Sequence, residues 1–163
     1  MIKLSKEEQD KIKDYTIRFA EHKKGKDKKQ GNGDGLKYDI MGFTGEYIVH
    51  KRFGKEFRWD FDKKKRFDDI VLEWAGRKIV CDIKSSFTGD ELRVARWHID
   101  NPDFGENVDA YILVKVSKEL DSGEVVGIIS KRRFKEIAEL KMYNTACYCV
   151  SSSELSSVDL LSA

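Results

Sequence analysis

Residues 67–84 read Phe67-Asp68-Asp69-Ile70-Val71-Leu72-Glu73-Trp74-Ala75-Gly76-Arg77-Lys78-Ile79-Val80-Cys81-Asp82-Ile83-Lys84. Two alternating apolar runs flank Ala75-Gly76, the pattern of a β-hairpin closed by a two-residue turn. With that turn, Trp74 faces Arg77 and the pairing counts outward one residue at a time. Asp69 is then expected directly across from Asp82, on the same face, with Cβ atoms about 5 Å apart. Lys84 lies two residues beyond Asp82 and points the same way. A slip of one residue would break this arrangement.

Two carboxylates held that close repel, and without compensation one of them would be forced to keep its proton. A divalent cation removes the conflict. Mg²⁺ is usually held by one or two carboxylates and completes its shell with water and phosphate oxygens. A lysine beside such a pair suits metal-assisted attack on a phosphodiester. The plainer alternative is a solvated hairpin face carrying a weak surface ion pair. Asp82 argues against it, because it interrupts the apolar run Ile79-Val80-Cys81-Asp82-Ile83, where an idle charge is costly.

The rest of the chain supplies the setting. Its 163 residues fit one compact domain, and 40% hydrophobic content with nine Phe, six Tyr, three Trp and a single Pro argues against global disorder. No run approaches the roughly 20 apolar residues that span a bilayer, and Met1-Ile2-Lys3-Leu4-Ser5 lacks the apolar core of a signal peptide. Three cysteines fit a reducing compartment, so a cytoplasmic protein without membrane contact is expected. Cys81 should face the core, and Cys147 and Cys149 read as structural thiols sharing one face of a late strand.

Ser5-Lys6-Glu7-Glu8 has the form of a capping box opening a helix to about His22. Residues 23–35 are basic and glycine-rich, read as a mobile loop. Residues 1–35 thus precede a core of 36–163. A second helix is expected from 37 or 42 to Arg52, a strand over Phe57–Phe61, and the hairpin to Ser86. Leu92–Trp97 suggests a short strand, followed by a helical turn or loop. Strands follow at Val108–Val116, Glu124–Ser130 and Thr145–Val150, with a helix over Lys131–Leu140.

These residues resemble the PD-(D/E)XK nuclease superfamily, whose pattern is an acid opening one strand and Asp/Glu-x-Lys on the next. Asp69 matches the first acid and Asp82-Ile83-Lys84 the second half. The proline of the family pattern is replaced by Asp68, which is a rival for the first position; Asp69 is preferred because it immediately precedes the apolar run. Gly42-Phe43-Thr44-Gly45-Glu46 resembles the family's helical glutamate motif. The closing order of Val-Val-Gly-Ile-Ile-Ser, a basic helix and a last strand is also similar, so the likeness spans residues 37–160. It implies an α/β restriction-endonuclease-like core: a central mixed sheet containing a β-meander, flanked by helices. It implies Mg²⁺, replaceable by Mn²⁺, on Asp69, Asp82, the Ile83 carbonyl and Glu46, with Glu46, Asp69, Asp82 and Lys84 catalytic. The implied activity is hydrolysis of DNA phosphodiester bonds by an endonuclease of phage or mobile-element recombination or repair, including branched or junction DNA. RNA stays open as a substrate, and a homodimer stays open as an assembly. A catalytically silent nucleic-acid-binding module, or a complex subunit with a nuclease-like fold, is the alternative.

Net charge is only +2, so the distribution of basic residues is more telling than their sum. Lys63, Lys64, Lys65 and Arg66 form one block, Lys131, Arg132 and Arg133 another, and Arg93 and Arg96 lie near Trp97 and His98. All are candidate phosphate-binding residues; ordinary solvated faces are the alternative. His98 could act as an acid or an orienter, though a lone histidine is more often structural. Neutralising Lys63–Arg66 should weaken DNA binding and flatten its salt dependence, by a slope of roughly one for each phosphate that is no longer neutralised. Anisotropy titrations at several salt concentrations check this, and an unchanged slope would place the nucleic acid elsewhere.

Overall fold

The computed structural model describes residues 1–24, 33–60, 69–101 and 107–163. In chain order these form β1 (Ile2–Lys3), α1 (Lys6–Lys24), α2 (Gly33–Arg52), β2 (Ile70–Trp74), β3 (Arg77–Ser86), β4 (Glu91–Ala95) and α3 (Arg96–Asp100). Then follow β5 (Ala110–Val116), β6 (Ser122–Ser130), α4 (Lys131–Ile137), β7 (Glu139–Met142), β8 (Ala146–Ser151) and β9 (Leu161–Ser162). The architecture is α/β, with a mixed six-stranded sheet in the order β1-β6-β5-β3-β2-β9 and a three-stranded sheet in the order β4-β8-β7. No helix among the described residues is long and apolar enough to cross a membrane.

The capping box forms as the sequence implies. The Ser5 N–H donates to Glu8 Oε2 at 2.7 Å and the Glu8 N–H donates to Ser5 Oγ at 3.1 Å, satisfying two donors that a helix start leaves orphaned. Glu8 also receives Lys51 Nζ at 2.8 Å and the Tyr47 hydroxyl at 2.9 Å, tying α1 to α2. Burial alone would raise its pKa, but the bonds from Lys51, the Ser5 N–H and Tyr47 hold it at about 2.

α2 starts earlier than expected. Leu36, Ile40, Met41, Tyr47 and Ile48 pack in the core at helical spacing, and Gly33 and Gly35 obscured that period in the sequence. The strand expected at Phe57–Phe61 is a correction: residues 57–60 join no sheet and Phe61 lies outside the described residues. Their aromatics pack on helices instead, with Tyr15 edge-on to Phe57 at 5.7 Å and to Trp59 at 5.6 Å. The β-meander is therefore not completed by a strand there. The helix expected to Leu140 ends at Ile137, and Glu139–Met142 turns back as β7 against β8. In the small sheet β4 pairs with β8 far along the chain, which alternation does not reveal, whereas β7 and β8 form a short hairpin.

The central sheet buries both faces. Against one face, α1 and α2 bring Ile12, Ile48 and Val49 onto Ile70, Leu72, Cys81, Ile83, Ile112 and Val114. Against the other, Leu92 and Val94 of β4, Val150 of β8 and Phe134 of α4 meet Tyr111, Leu113 and Ile129. Cys81 and Cys149 are buried free thiols, as expected of structural cysteines, and Cys147 is half-buried.

Gly45 is where α2 comes closest to β3. A Cβ there would overlap Ser85 Oγ, lie 3.0 Å from Ser85 Cβ and 3.5 Å from Val114 Cβ. Gly45→Ala should therefore destabilise the fold despite alanine's helix preference of about 1 kcal/mol. The expected net loss in urea unfolding is about 1–2 kcal/mol, within the usual cost of overpacking. In a Ser85→Ala background the loss should shrink; an unchanged loss would mean that Ser85 is not what excludes the side chain.

Candidate functional site

Strand β3 changes partners along its length. From Arg77 to Cys81 it pairs antiparallel with β2, in the register Trp74↔Arg77 through Ile70↔Cys81. From Cys81 to Ser86 it pairs parallel with β5, with Asp82↔Tyr111 and Lys84↔Leu113. The hairpin register read from the sequence thus holds for all five pairs of β2. It ends one residue before Asp69. There the Asp69 N–H donates to Cys81 O at 3.2 Å, a residue short of the position across from Asp82.

Past Cys81, then, one edge of β3 has no β2 residue beside it. The Ile83 N–H points out of that edge and donates to Asp69 Oδ2 at 2.8 Å. A residue in an extended strand directs its N–H and C=O to the same side, so the Ile83 carbonyl lies along this edge too. Asp69 is placed by a backbone hydrogen bond at each end: its own N–H to Cys81 and its carboxylate to Ile83.

Asp82 is 4% exposed. Lys84 Nζ lies 2.9 Å from its Oδ2, and the lysine side chain is 23% exposed. The Asp82 pKa is pushed up to about 7, first by burial, with Asp69 adding to the rise and the Lys84 cation opposing it. Across β5, burial and the Asp82 charge together hold the Tyr111 hydroxyl well above its ordinary pKa. The three side chains expected to act together, Asp69, Asp82 and Lys84, are thus assembled at one strand edge with the Ile83 backbone.

Glu46 stands apart from that set. It follows Gly45, so it sits on the turn of α2 that touches β3 at Ser85. It is half-buried, and its backbone carbonyl is 2.8 Å from His50 Nδ1. By strand parity Cys81, Ile83 and Ser85 face α2, whereas Asp82 and Lys84 face the other side. A glutamate from α2 must reach around the open edge to join them. Among the described residues, no group of three or more His, Cys, Asp or Glu side chains is gathered to hold a metal ion. The donor set present is a pair of aspartates with one backbone carbonyl. All three are hard oxygens, which suits Mg²⁺ or Mn²⁺ completed by water and phosphate, and not a soft-metal cage.

Beside Lys84 opens a cleft of about 410 Å³, walled by Tyr38 and Met41 of α2, by Lys84 to Thr88 at the end of β3, and by Glu91 and Arg93 of β4. Arg93 Nε is 2.9 Å from Glu91 Oε1, and its guanidinium lies 3.7 Å above the Tyr143 ring. Glu91 also receives Lys141 Nζ at 2.6 Å and the Tyr143 hydroxyl at 2.7 Å. Burial would raise its pKa, but these three donors hold it at about 2.

The other basic candidates are dispersed. Arg133 lines a separate cavity of about 260 Å³ with Lys141 and Glu154. Arg132 and Arg133 each lie 3.6 Å from Glu136, and Lys131 opens the same helix, α4. Arg96 pairs with Asp100 at 2.8 Å. Trp97 is 48% exposed and edge-on to His98 at 3.8 Å. Lys63, Lys64, Lys65 and Arg66 lie outside the described residues. Tyr38, Phe87, Glu91 and Tyr111 were not singled out in the sequence. Tyr111 could have been, since it shares the parallel register of Asp82, but the cleft residues come from three separate elements.

A carboxyl whose pKa is raised in the folded state binds a proton that the unfolded chain has already lost. Folding stability should therefore fall as pH rises from about 4 to about 7 and level off above, in the absence of divalent metal. Asp82→Asn should flatten that window. Urea unfolding at several pH values checks this, and equal pH slopes for the two proteins would count against a buried, proton-holding Asp82.

Comparison with protein-family models, with curated proteins and with solved structures finds no match to this chain.

Proposed function

We propose that this protein is a divalent-metal-dependent nuclease of the PD-(D/E)XK type, with a restriction-endonuclease-like core, that hydrolyses DNA phosphodiester bonds. One observation carries the reading. Asp69, Asp82 and Lys84 converge where β3 loses β2 as a neighbour, and Lys84 opens onto a cleft. A buried carboxylate is costly to a fold, and a pair of them beside a lysine is the kind of perturbed cluster that marks functional sites. The mixed sheet with α2 on one face, and the order helix, hairpin, crossover and strand, support the fold assignment by analogy.

Asp69, Asp82 and the Ile83 carbonyl would hold Mg²⁺. Such an ion lowers the pKa of bound water and neutralises charge on the phosphate. The chain's own residues do the rest. Asp69 is oriented at the strand edge by the Ile83 N–H, which donates to its Oδ2. Lys84, held against Asp82, would offer N–H donors to the phosphate oxygens, where negative charge grows as water attacks phosphorus. The water oxygen forms the new bond to phosphorus and releases a proton to solvent; the bond from phosphorus to the leaving oxygen breaks, and that oxygen takes a proton from solvent. Glu46, adjacent to the Gly45–Ser85 approach of α2 to β3, would orient water at the rim of the site.

An endonuclease of recombination or repair is the class of role proposed, and a homodimer would let it cut both strands. The alternative is a catalytically silent nucleic-acid-binding module with the same fold.

Cleavage of supercoiled plasmid, linear duplex, single-stranded DNA, a four-way junction and RNA, with Mg²⁺, Mn²⁺ or EDTA, separates the two. Metal-dependent cutting is expected, lost by about 100-fold or more in Lys84→Ala, Asp69→Ala and Asp82→Ala, and by about 10- to 100-fold in Glu46→Gln. Binding without cutting under every condition would establish the silent module instead.

A further inference from the structure

Three residues beyond Lys84, just past the end of β3, the chain presents Phe87 toward α2. There it meets Tyr38, with ring centroids 6.0 Å apart and tilted by 50°. Lys37 Nζ lies 5.2 Å over the Phe87 ring. Tyr38 is 60% exposed, so most of its ring surface remains available.

The turn beneath Phe87 is fixed. The Gly89 N–H donates to Ser86 Oγ at 2.8 Å. Gly89 adopts φ +70°, and a Cβ there would lie 2.8 Å from Lys115 Cβ, so glycine is required. An aromatic on a rigid turn, opposite an exposed tyrosine, binds a flat ring at little ordering cost.

We infer that the cleft between Lys84 and the Tyr38–Phe87 pair takes one unpaired nucleotide of a DNA strand, its base stacked on the aromatics and its phosphate toward Lys84. The size agrees: about 410 Å³ lies in the range of sites for single small ligands. The chemistry agrees as well. Aromatic faces hold bases whatever their sequence, and Lys37 and Lys84 flank them with positive charge. This rests on the nuclease reading for the direction of the phosphate, and it narrows the substrate to DNA with an unstacked base at the site of attack, as in a single strand, a flap or a junction, in preference to an intact duplex.

Binding measured in EDTA keeps this question apart from cleavage. The probes are a short single strand, a blunt duplex of the same sequence, and the single strand with 2-aminopurine at one position. Wild type should prefer the single strand and quench 2-aminopurine. Tyr38→Ala and Phe87→Ala should each weaken single-strand binding by about tenfold, abolish the quench and leave duplex affinity within about twofold. Tyr38→Phe should behave as wild type. Equal losses on both forms, or an unaltered quench, would overturn the stacking site while leaving the nuclease reading intact. Selective loss and quench in a protein that cuts nothing would uphold the stacking site and overturn the nuclease. Failure of wild type to bind any DNA would overturn both.

Discussion

Everything at the candidate site depends on one backbone accident, the exchange of neighbours at Cys81. That residue pairs with Ile70 on one side and Ala110 on the other. Up to it β3 is the second arm of a hairpin; beyond it β3 is an inner strand on one flank and an edge on the other. An edge strand presents peptide groups with no ladder partner, and a buried peptide group left unmet costs about as much as a missing hydrogen bond. Here the Asp69 carboxylate answers the Ile83 N–H. The sheet thus obtains its missing acceptor from a side chain, and a charge is fixed beside Asp82 that no ladder could have supplied.

That solution creates an electrostatic problem. Two acids sit together, one of them almost wholly buried, and the Lys84 ammonium compensates directly. A buried ion pair of this kind adds little to stability, because desolvation consumes most of the attraction. Apolar residues at both 82 and 84, facing Tyr111 and Leu113, would serve the core better. Retention of the charges is intelligible if they act on something brought to the cleft, and strain of this kind is common where function competes with stability. The supporting elements are ordinary by contrast. The Glu8–Lys51–Tyr47 cluster fastens α1 to α2, and Glu91 fastens β4 to Lys141 and Tyr143.

The sequence was legible where interactions are local. The hairpin follows from Ala75-Gly76 and its flanks, and Ala75 and Gly76 do take positive φ, 51° and 76°, as a tight primed turn requires. The capping box at Ser5 and the parity of Asp82 with Lys84 rest on similarly short spans. Legibility failed where partners are distant. Phe57 and Trp59 alternate like a strand, yet their partners are Tyr15 and Tyr47 on helices. One exception is local: Leu140 continues α4 in composition, yet it pairs with Tyr148 of β8 in a short hairpin. Asp69 was assigned to the right face but not to its true position, because counting by ones presumes a ladder that continues. The cleft drew Tyr38, Phe87 and Glu91 from elements whose meeting no period encodes.

The Asp82–Lys84 pair also restricts how this chain can change over generations. Loss of the lysine alone strands a buried carboxylate, and loss of the aspartate alone strands a half-buried ammonium. Either single step passes through a weakened fold, so drift at one position favours compensating drift at the other. Descendants that abandoned this chemistry should therefore have replaced both residues together, most readily with an apolar side chain at 82. An isolated Asp82 or Lys84 in a relative would mark a recent departure, and an intact pair would mark continued use.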